Sequence, residues 1–370
     1  MTSKRLLPII ALFISGICCS SAVISQTVET DGKVNFSGYV DAYYARYNDQ
    51  SIGNNQPEKF GAVSPYNNQF GLNIAALSAD YKSANTRALV TLQYGDLPTV
   101  AWAPTGNYNM VQEAWAGVKL NKNLWVDAGL FKTHIGTEML YPKDNITSSI
   151  TVITLYEPWS QAGVRFTYTP SEKLELTFHL LNGYNTFINV NKEKSFGFGL
   201  TYTINDKSSF GYYNILGEAL PDNDSVSHVR LLNNFIYKNQ FTPKLYMLVG
   251  VDYIFQEHSD QSDSKKSAVA TSALVTLQYK FKKDLAGYGR IEYFNDPNGV
   301  LVTPVATPAT DPSYTCSGLT LGLEKKFTKN SYLRIEGRDL RMKDNEKIFL
   351  VNKTPSNERL EYMFCFGLWF

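Results

Sequence analysis

The sequence predicts an all-β chain: a closed, antiparallel, up-and-down transmembrane β-barrel of about sixteen strands, with 14 or 18 still open. Three observations carry this. Apolar and polar residues alternate through nearly the whole chain, connections alternate short and long, and the last strand places five large apolar side chains on one face.

The alternation is explicit in "SFGFGLTYTI". Phe196, Phe198, Leu200, Tyr202 and Ile204 share one face, and Ser195, Gly197, Gly199, Thr201 and Thr203 share the other. The same period of two appears in "ALVTLQYKF" (273–281) and "KLYMLVGVDYIF" (244–255). The apolar faces carry no charge, whereas the opposing faces carry Arg87, Arg165, Glu175, Lys280 and Glu324. An uncharged outer band is what lipid demands, because a Lys or Arg at mid-depth costs ~2–4 kcal/mol. A soluble sandwich shows similar inner faces, so alternation alone does not decide between the two.

The connections do decide. Strands are expected near 33–47, 68–81, 86–96, 110–120, 123–134, 159–169, 173–183, 194–204, 208–216, 228–238, 244–256, 268–281, 285–294, 315–327, 331–340 and 358–370. Short gaps such as 82–84, 121–123, 205–207 and 328–330 separate long ones such as 48–67, 135–158, 295–314 and 341–357. Short periplasmic turns with long outer loops are the pattern of outer-membrane barrels. Register is ambiguous where Tyr212 and Tyr213, or Leu231 and Leu232, are adjacent. A barrel of this size is too wide for side chains to fill and is expected to hold water.

The N-terminus reads as a signal peptide over 1–25, with Lys4 and Arg5 before a short apolar run and small residues from Ser20 to Ser25. Residues 26–370 then form one domain. Losing Lys4 and Arg5 leaves 33 of the 35 basic residues against 34 acidic ones, a net of −1. No basic run points to nucleic acid. Aromatic residues make up 14%, with 24 tyrosines, which suits strands and membrane interfaces. The leader also removes Cys18 and Cys19. Cys316 and Cys365 then lie roughly 20 Å apart along the wall at ~3.3 Å per residue. A disulfide needs Cα atoms within about 7 Å, so two free thiols facing the lumen are expected.

No catalytic or metal motif appears. His134, His179, His228 and His258 lack the H-x-x-x-H and H-E-x-x-H spacings of zinc sites, and no G-x-S-x-G elbow is present. No cofactor is implied. A hydrolase built at the outer rim on His134 or His258, with Asp260 and Asp263 near the latter, is the reading with least support.

Several stretches go further: "GLFKTHIGTE" (129–138), then Asn145 and "EPWSQAGVRFTYTP", "HLLNGYN", "GRIEYFNDPNG" (289–299) and "LRIEGRDL" (333–340). Their order resembles the β-barrel porin family of the OmpL-like type over most of the mature chain. The resemblance implies a pore-like barrel in the outer membrane of a Gram-negative bacterium, with no catalytic residues to carry over. The ending, with Phe366, Leu368 and the terminal Phe370, resembles the C-terminal aromatic signature of outer-membrane proteins. That implies recognition by the barrel-assembly machinery.

By parity, Arg165, Arg290, Glu292, Arg334, Glu336 and Arg338 point inward. They suit either cross-strand ion pairs within the wall or a field across a pore. By analogy with general sixteen-stranded porins, the loop 135–158 is expected to fold inward and line a constriction, with Glu138 and Asp144 facing Arg165 and Arg290. The expected function is a porin: passive diffusion of small hydrophilic solutes or ions through a charged lumen, in contact with outer-membrane lipid. The alternative is a narrow or closed barrel acting as a structural or surface-interaction protein through its outer loops, of which the Pro/Thr-rich 302–312 is the most extended. Sixteen-stranded porins are often homotrimers, but the uniformly apolar outer faces mark no interface.

Overall fold

The computed structural model describes residues 32–53, 55–102, 106–189, 192–219, 226–302 and 314–370. The leader read over 1–25 lies outside the described residues, as does most of the Pro/Thr-rich stretch.

Sixteen strands close the barrel. They are β1 (Lys33–Tyr47), β2 (Gln69–Lys82), β3 (Thr86–Tyr94), β4 (Val111–Asn121), β5 (Leu124–Lys132), β6 (Ser160–Ser171), β7 (Leu174–Leu181), β8 (Ser195–Asn205), β9 (Ser208–Glu218), β10 (Val229–Gln240), β11 (Leu245–Gln256), β12 (Ala268–Lys282), β13 (Leu285–Asp296), β14 (Tyr314–Thr328), β15 (Ser331–Met342) and β18 (Glu358–Trp369). Every pairing is antiparallel between chain neighbours, and β18 pairs with both β15 and β1. That closure leaves no sheet edge exposed. The strand count and the alternation of short and long connections are as the sequence predicts. Among the described residues, no helix is long and apolar enough to cross a membrane.

Closure explains the last strand. Tyr362, Phe364, Phe366 and Leu368 point outward and remain exposed, while Met363 and Cys365 are buried inside. Phe370 is exposed at the inner end, and its backbone exchanges two hydrogen bonds with Gly38 of β1. Among the described residues, Cys316 and Cys365 are free and buried.

The loops carry structure that the alternation did not anticipate. α1 (Asp96–Ala101) and α2 (Val152–Tyr156) are short helices, and β16 (Phe349–Val351) pairs with β17 (Thr354–Ser356) as a hairpin in the last outer loop. The two ambiguous registers resolve for one reason. Leu232 is fully buried inside the barrel while Leu231 faces out, and Tyr213 points inward to bond Thr201 while Tyr212 lies tilted against Phe235 outside. Both faces are apolar there because the outer end of the lumen is itself packed with apolar side chains.

Candidate functional site in the barrel lumen

The site starts at a backbone bend. Gly129 on β5 and Gly163 on β6 pair with each other at φ 141° and 157°. A Cβ at Gly163 would sit 2.0 Å from the Leu180 carbonyl oxygen, so only glycine fits. Just beyond this pair, the loop 133–159 turns inward and hydrogen-bonds to the inward faces of distant strands.

Arg290 on β13 is the main anchor. Its Nη1 donates to Glu138 Oε1 at 2.6 Å, Thr147 Oγ1 at 2.9 Å and the Ser149 carbonyl at 2.7 Å. Glu336 on β15 accepts the backbone N–H groups of Ser148 and Ser149 at 2.6 and 2.8 Å. Arg334 donates to the carbonyls of Pro142, Asn145 and Thr147 and pairs with Glu324 at 2.7 Å. Glu292 accepts the Val152 N–H at 3.0 Å and pairs with Arg338 at 2.7 Å, and Arg338 also reaches Glu361 at 3.4 Å. These charges sit in an almost water-free wall, where each is costly unless paired and hydrogen-bonded. The pairs are cross-strand wall bridges, and the same residues also clamp the loop backbone.

Of the residues picked out in the sequence, Glu138 meets Arg290. Asp144 does not meet Arg165; it pairs with its neighbour Lys143 at 2.9 Å and stays partly exposed. Arg165 instead joins Arg87 on the buried carboxylate of Asp127, at 2.9 and 2.7 Å. Asp127 lies directly across the β5–β6 ladder from Arg165, so the wall satisfies this arginine before the loop can. Trp115 and Phe131 hold its guanidinium plane at 5.1 and 4.7 Å.

Sequence reasoning missed three clusters. Asp41 accepts Asn73, Tyr39 and Tyr332, and Tyr39 in turn accepts the Lys143 N–H of the loop. Asp252 holds Asn234 and Ser272, and Asn234 reaches Thr137 on the loop. Arg359 joins Glu361 and Glu58, tying the first outer loop to β18. Parity alone puts Asp41, Asn234 and Asp252 inside; nothing in the sequence says which loop group each will meet.

Burial raises the Glu157 carboxyl well above the usual carboxylate range, and the charges of Asp252 and Glu138 push the same way. Glu58 is pushed up to about 7, chiefly by burial, against the pull of Arg359. Burial pushes the His134 pKa down, which favours the neutral ring. Its Nε2 donates to the Asn214 carbonyl at 2.8 Å, which leaves Nδ1 as an acceptor facing Gln161. Gln161 Oε1 faces Nδ1 at 2.9 Å, so a neutral ring requires the Gln161 amide to be flipped, which would also give its otherwise unpartnered Nε2 an acceptor.

Above the loop, apolar side chains close ranks. Ile215, Leu232, Ile254, Phe294 and Leu340, from the outer ends of their strands, pack with Val152 and Ile153 of α2 and with Phe60 and Phe349 of other outer loops. On the other side, Leu97 and Trp102 pack with Ile150, Trp159 and Phe187. Below the loop, toward the end with the short turns, lie cavities of 260, 230 and 360 Å³ with mixed polar linings.

A closed sixteen-stranded barrel with an apolar exterior, a charged interior and a loop clamped across its lumen defines an outer-membrane barrel of the porin class. The chain belongs to the family described as "Putative beta-barrel porin-2, OmpL-like", whose profile matches residues 33–369. This is a porin family of the Gram-negative outer membrane, not an enzyme family. No curated protein matches the chain. Solved structures share the fold at low identity. OprB of Pseudomonas putida superposes with a TM-score of 0.60 at 12% identity, covering 91% of this chain and 94% of its own. The anion-selective porin of Comamonas acidovorans gives 0.59 at 10%, covering 92% and 100%. OmpT of Vibrio cholerae, in its trimer form, gives 0.59 at 11%, also covering 92% and 100%.

Proposed function

We propose that the chain is a passive diffusion channel for small hydrophilic solutes or ions, narrowed by the loop 133–159 and biased by the charges around it. The observation that supports this reading is the clamp itself. Arg290, Arg334, Glu292 and Glu336 hold the loop against the wall opposite its origin, which takes up part of the cross-section and leaves polar cavities beneath. In this reading Glu138, Arg290, Glu292, Arg334, Glu336 and Arg338 set the shape of the constriction, while the more accessible Asp144 and Arg165 act on passing ions. Phe366, Leu368 and Phe370 serve as the assembly signal, and three copies associate through their apolar outer faces.

A second reading has its own observation. The apolar packing of the outer loops favours a barrel closed on its outer side that works through its loop surface. Single-channel recording of the refolded protein in a planar bilayer separates the two. Steady, stepwise conductance supports the channel, and its reversal potential under a salt gradient reports the net bias of the lining. Inserted, folded barrels that stay silent would sink the channel reading and turn attention to the loops.

A further inference from the structure

The 260 Å³ cavity beneath the loop is lined by polar groups that the protein itself leaves unused. His179 on β7 is 5% exposed, and neither of its ring nitrogens has a partner. Thr177, two residues earlier on the same inward face, has a buried hydroxyl that also lacks one. Lys238 on β10 lines the same cavity and makes no ion pair among the described residues. Buried polar groups are nearly always satisfied, and two residues with unsatisfied ones, His179 and Thr177, beside an unpaired lysine around a single cavity mark a place built for something to occupy.

The arrangement is held from outside the cavity. The His179 ring stacks on His134 at 4.0 Å and 15°, and His134 is fixed by Asn214 and Gln161. Gly197, cross-strand from His179, makes room for the pair: a Cβ there would lie 2.6 Å from the His134 ring. The lining charges are Lys132, Arg165 and Lys238 against Glu175. Lys132 is paired with Glu113 and Arg165 with Asp127, which leaves Lys238 as the uncommitted cation. Lys238 also lines the adjoining 230 Å³ cavity, so it sits where the two spaces meet.

We propose that this cavity binds a small anion bearing a carboxylate or phosphate group, with Lys238 as its charged anchor and Thr177 and His179 as hydrogen-bonding partners. The chemistry is specific in sign. A flexible ammonium offers three donors, a hydroxyl offers one, and neighbouring cations exclude a competing positive charge. The proposal rests on the porin reading only for how the anion arrives.

The test is equilibrium binding on the full, refolded chain in detergent, using inorganic phosphate and succinate as probes and following the imidazole ring signals of the histidines by NMR. Saturable binding of either probe is expected. Lys238→Gln should weaken it by about tenfold or more, and Lys238→Arg should restore most of it. Lys238 is unpaired and half-buried, so both variants should fold, which heat-modifiable gel mobility confirms. The absence of saturable shifts with both probes would overturn the site, as would unchanged affinity in Lys238→Gln. A protein that binds phosphate but carries no current keeps the site and loses the channel. One that conducts but binds neither probe keeps the channel and loses the site.

Discussion

Arg290 shows how one side chain ties the wall to the loop. It is fully buried, and its donors reach Glu138, Thr147, Ser149 and Thr320. Replacing it by Met keeps the stem and deletes the charge, leaving Glu138 without its cationic partner and the Ser149 carbonyl without its guanidinium donor. Breaking a buried pair from one side costs ~3–5 kcal/mol, so Arg290→Met should lower the urea midpoint and expose the loop to protease. An unchanged midpoint with an intact loop would mean that the clamp is ornamental. Glu58 carries a pH dependence of known sign. An unfolded glutamate releases its proton near 4.5, whereas Glu58 in the folded loop holds it to about 7. The folded state binds more protons across that window, so this contribution to stability is full below 4.5 and is lost as pH rises toward about 7. Nicking of the first outer loop should therefore increase between pH 5 and pH 8, and Glu58→Gln should flatten the response. Equal slopes in the two proteins would remove Glu58 as the cause.

At the level of the element, each strand answers two solvents at once. On β14, Leu319, Leu321 and Leu323 face lipid, while Thr320 and Glu324 face inward to Arg290 and Arg334. Leu321 lies near the middle of this strand and is 60% exposed. Leu321→Arg should cost ~2–4 kcal/mol and sharply reduce folding yield into lipid vesicles, while Thr320→Ser, on the inner face, should fold normally. Similar yields would place Leu321 away from the hydrocarbon. The loop 133–159 is an element of another kind. It has little secondary structure of its own, and its shape is set by carboxylates and guanidinium groups borrowed from β13 and β15.

At the level of the whole molecule, the barrel is divided along its axis. The inner half holds polar cavities, and the outer half holds an apolar collar in which strand ends and loop residues pack as in a soluble core. Cys316 lies within that collar, and Cys365 belongs to the buried cluster around Tyr43 and Tyr332. Neither thiol should react with a bulky maleimide in the folded barrel, and both should react after boiling in detergent. Fast labelling of Cys316 in the folded state would show that the collar opens to the outside.

The sequence by itself determined the barrel, the facing of nearly every strand residue and the free state of both thiols, and it put the strand number at about sixteen while leaving 14 or 18 open. These follow from a period of two and from the cost of charge in lipid, which are local rules read residue by residue. It left Tyr212–Tyr213 and Leu231–Leu232 ambiguous because parity fails where both faces are apolar. It put Arg290 and Glu138 in the same lumen, yet could not foresee that Asp127 would take Arg165 or that Asp144 would turn to Lys143. Tertiary structure alone decided those partners, the inward course of the loop, the apolar collar and the cavity beside Lys238. Which buried charge meets which depends on distances across a closed wall, between residues as far apart in the chain as Glu138 and Arg290, and no periodicity records those distances.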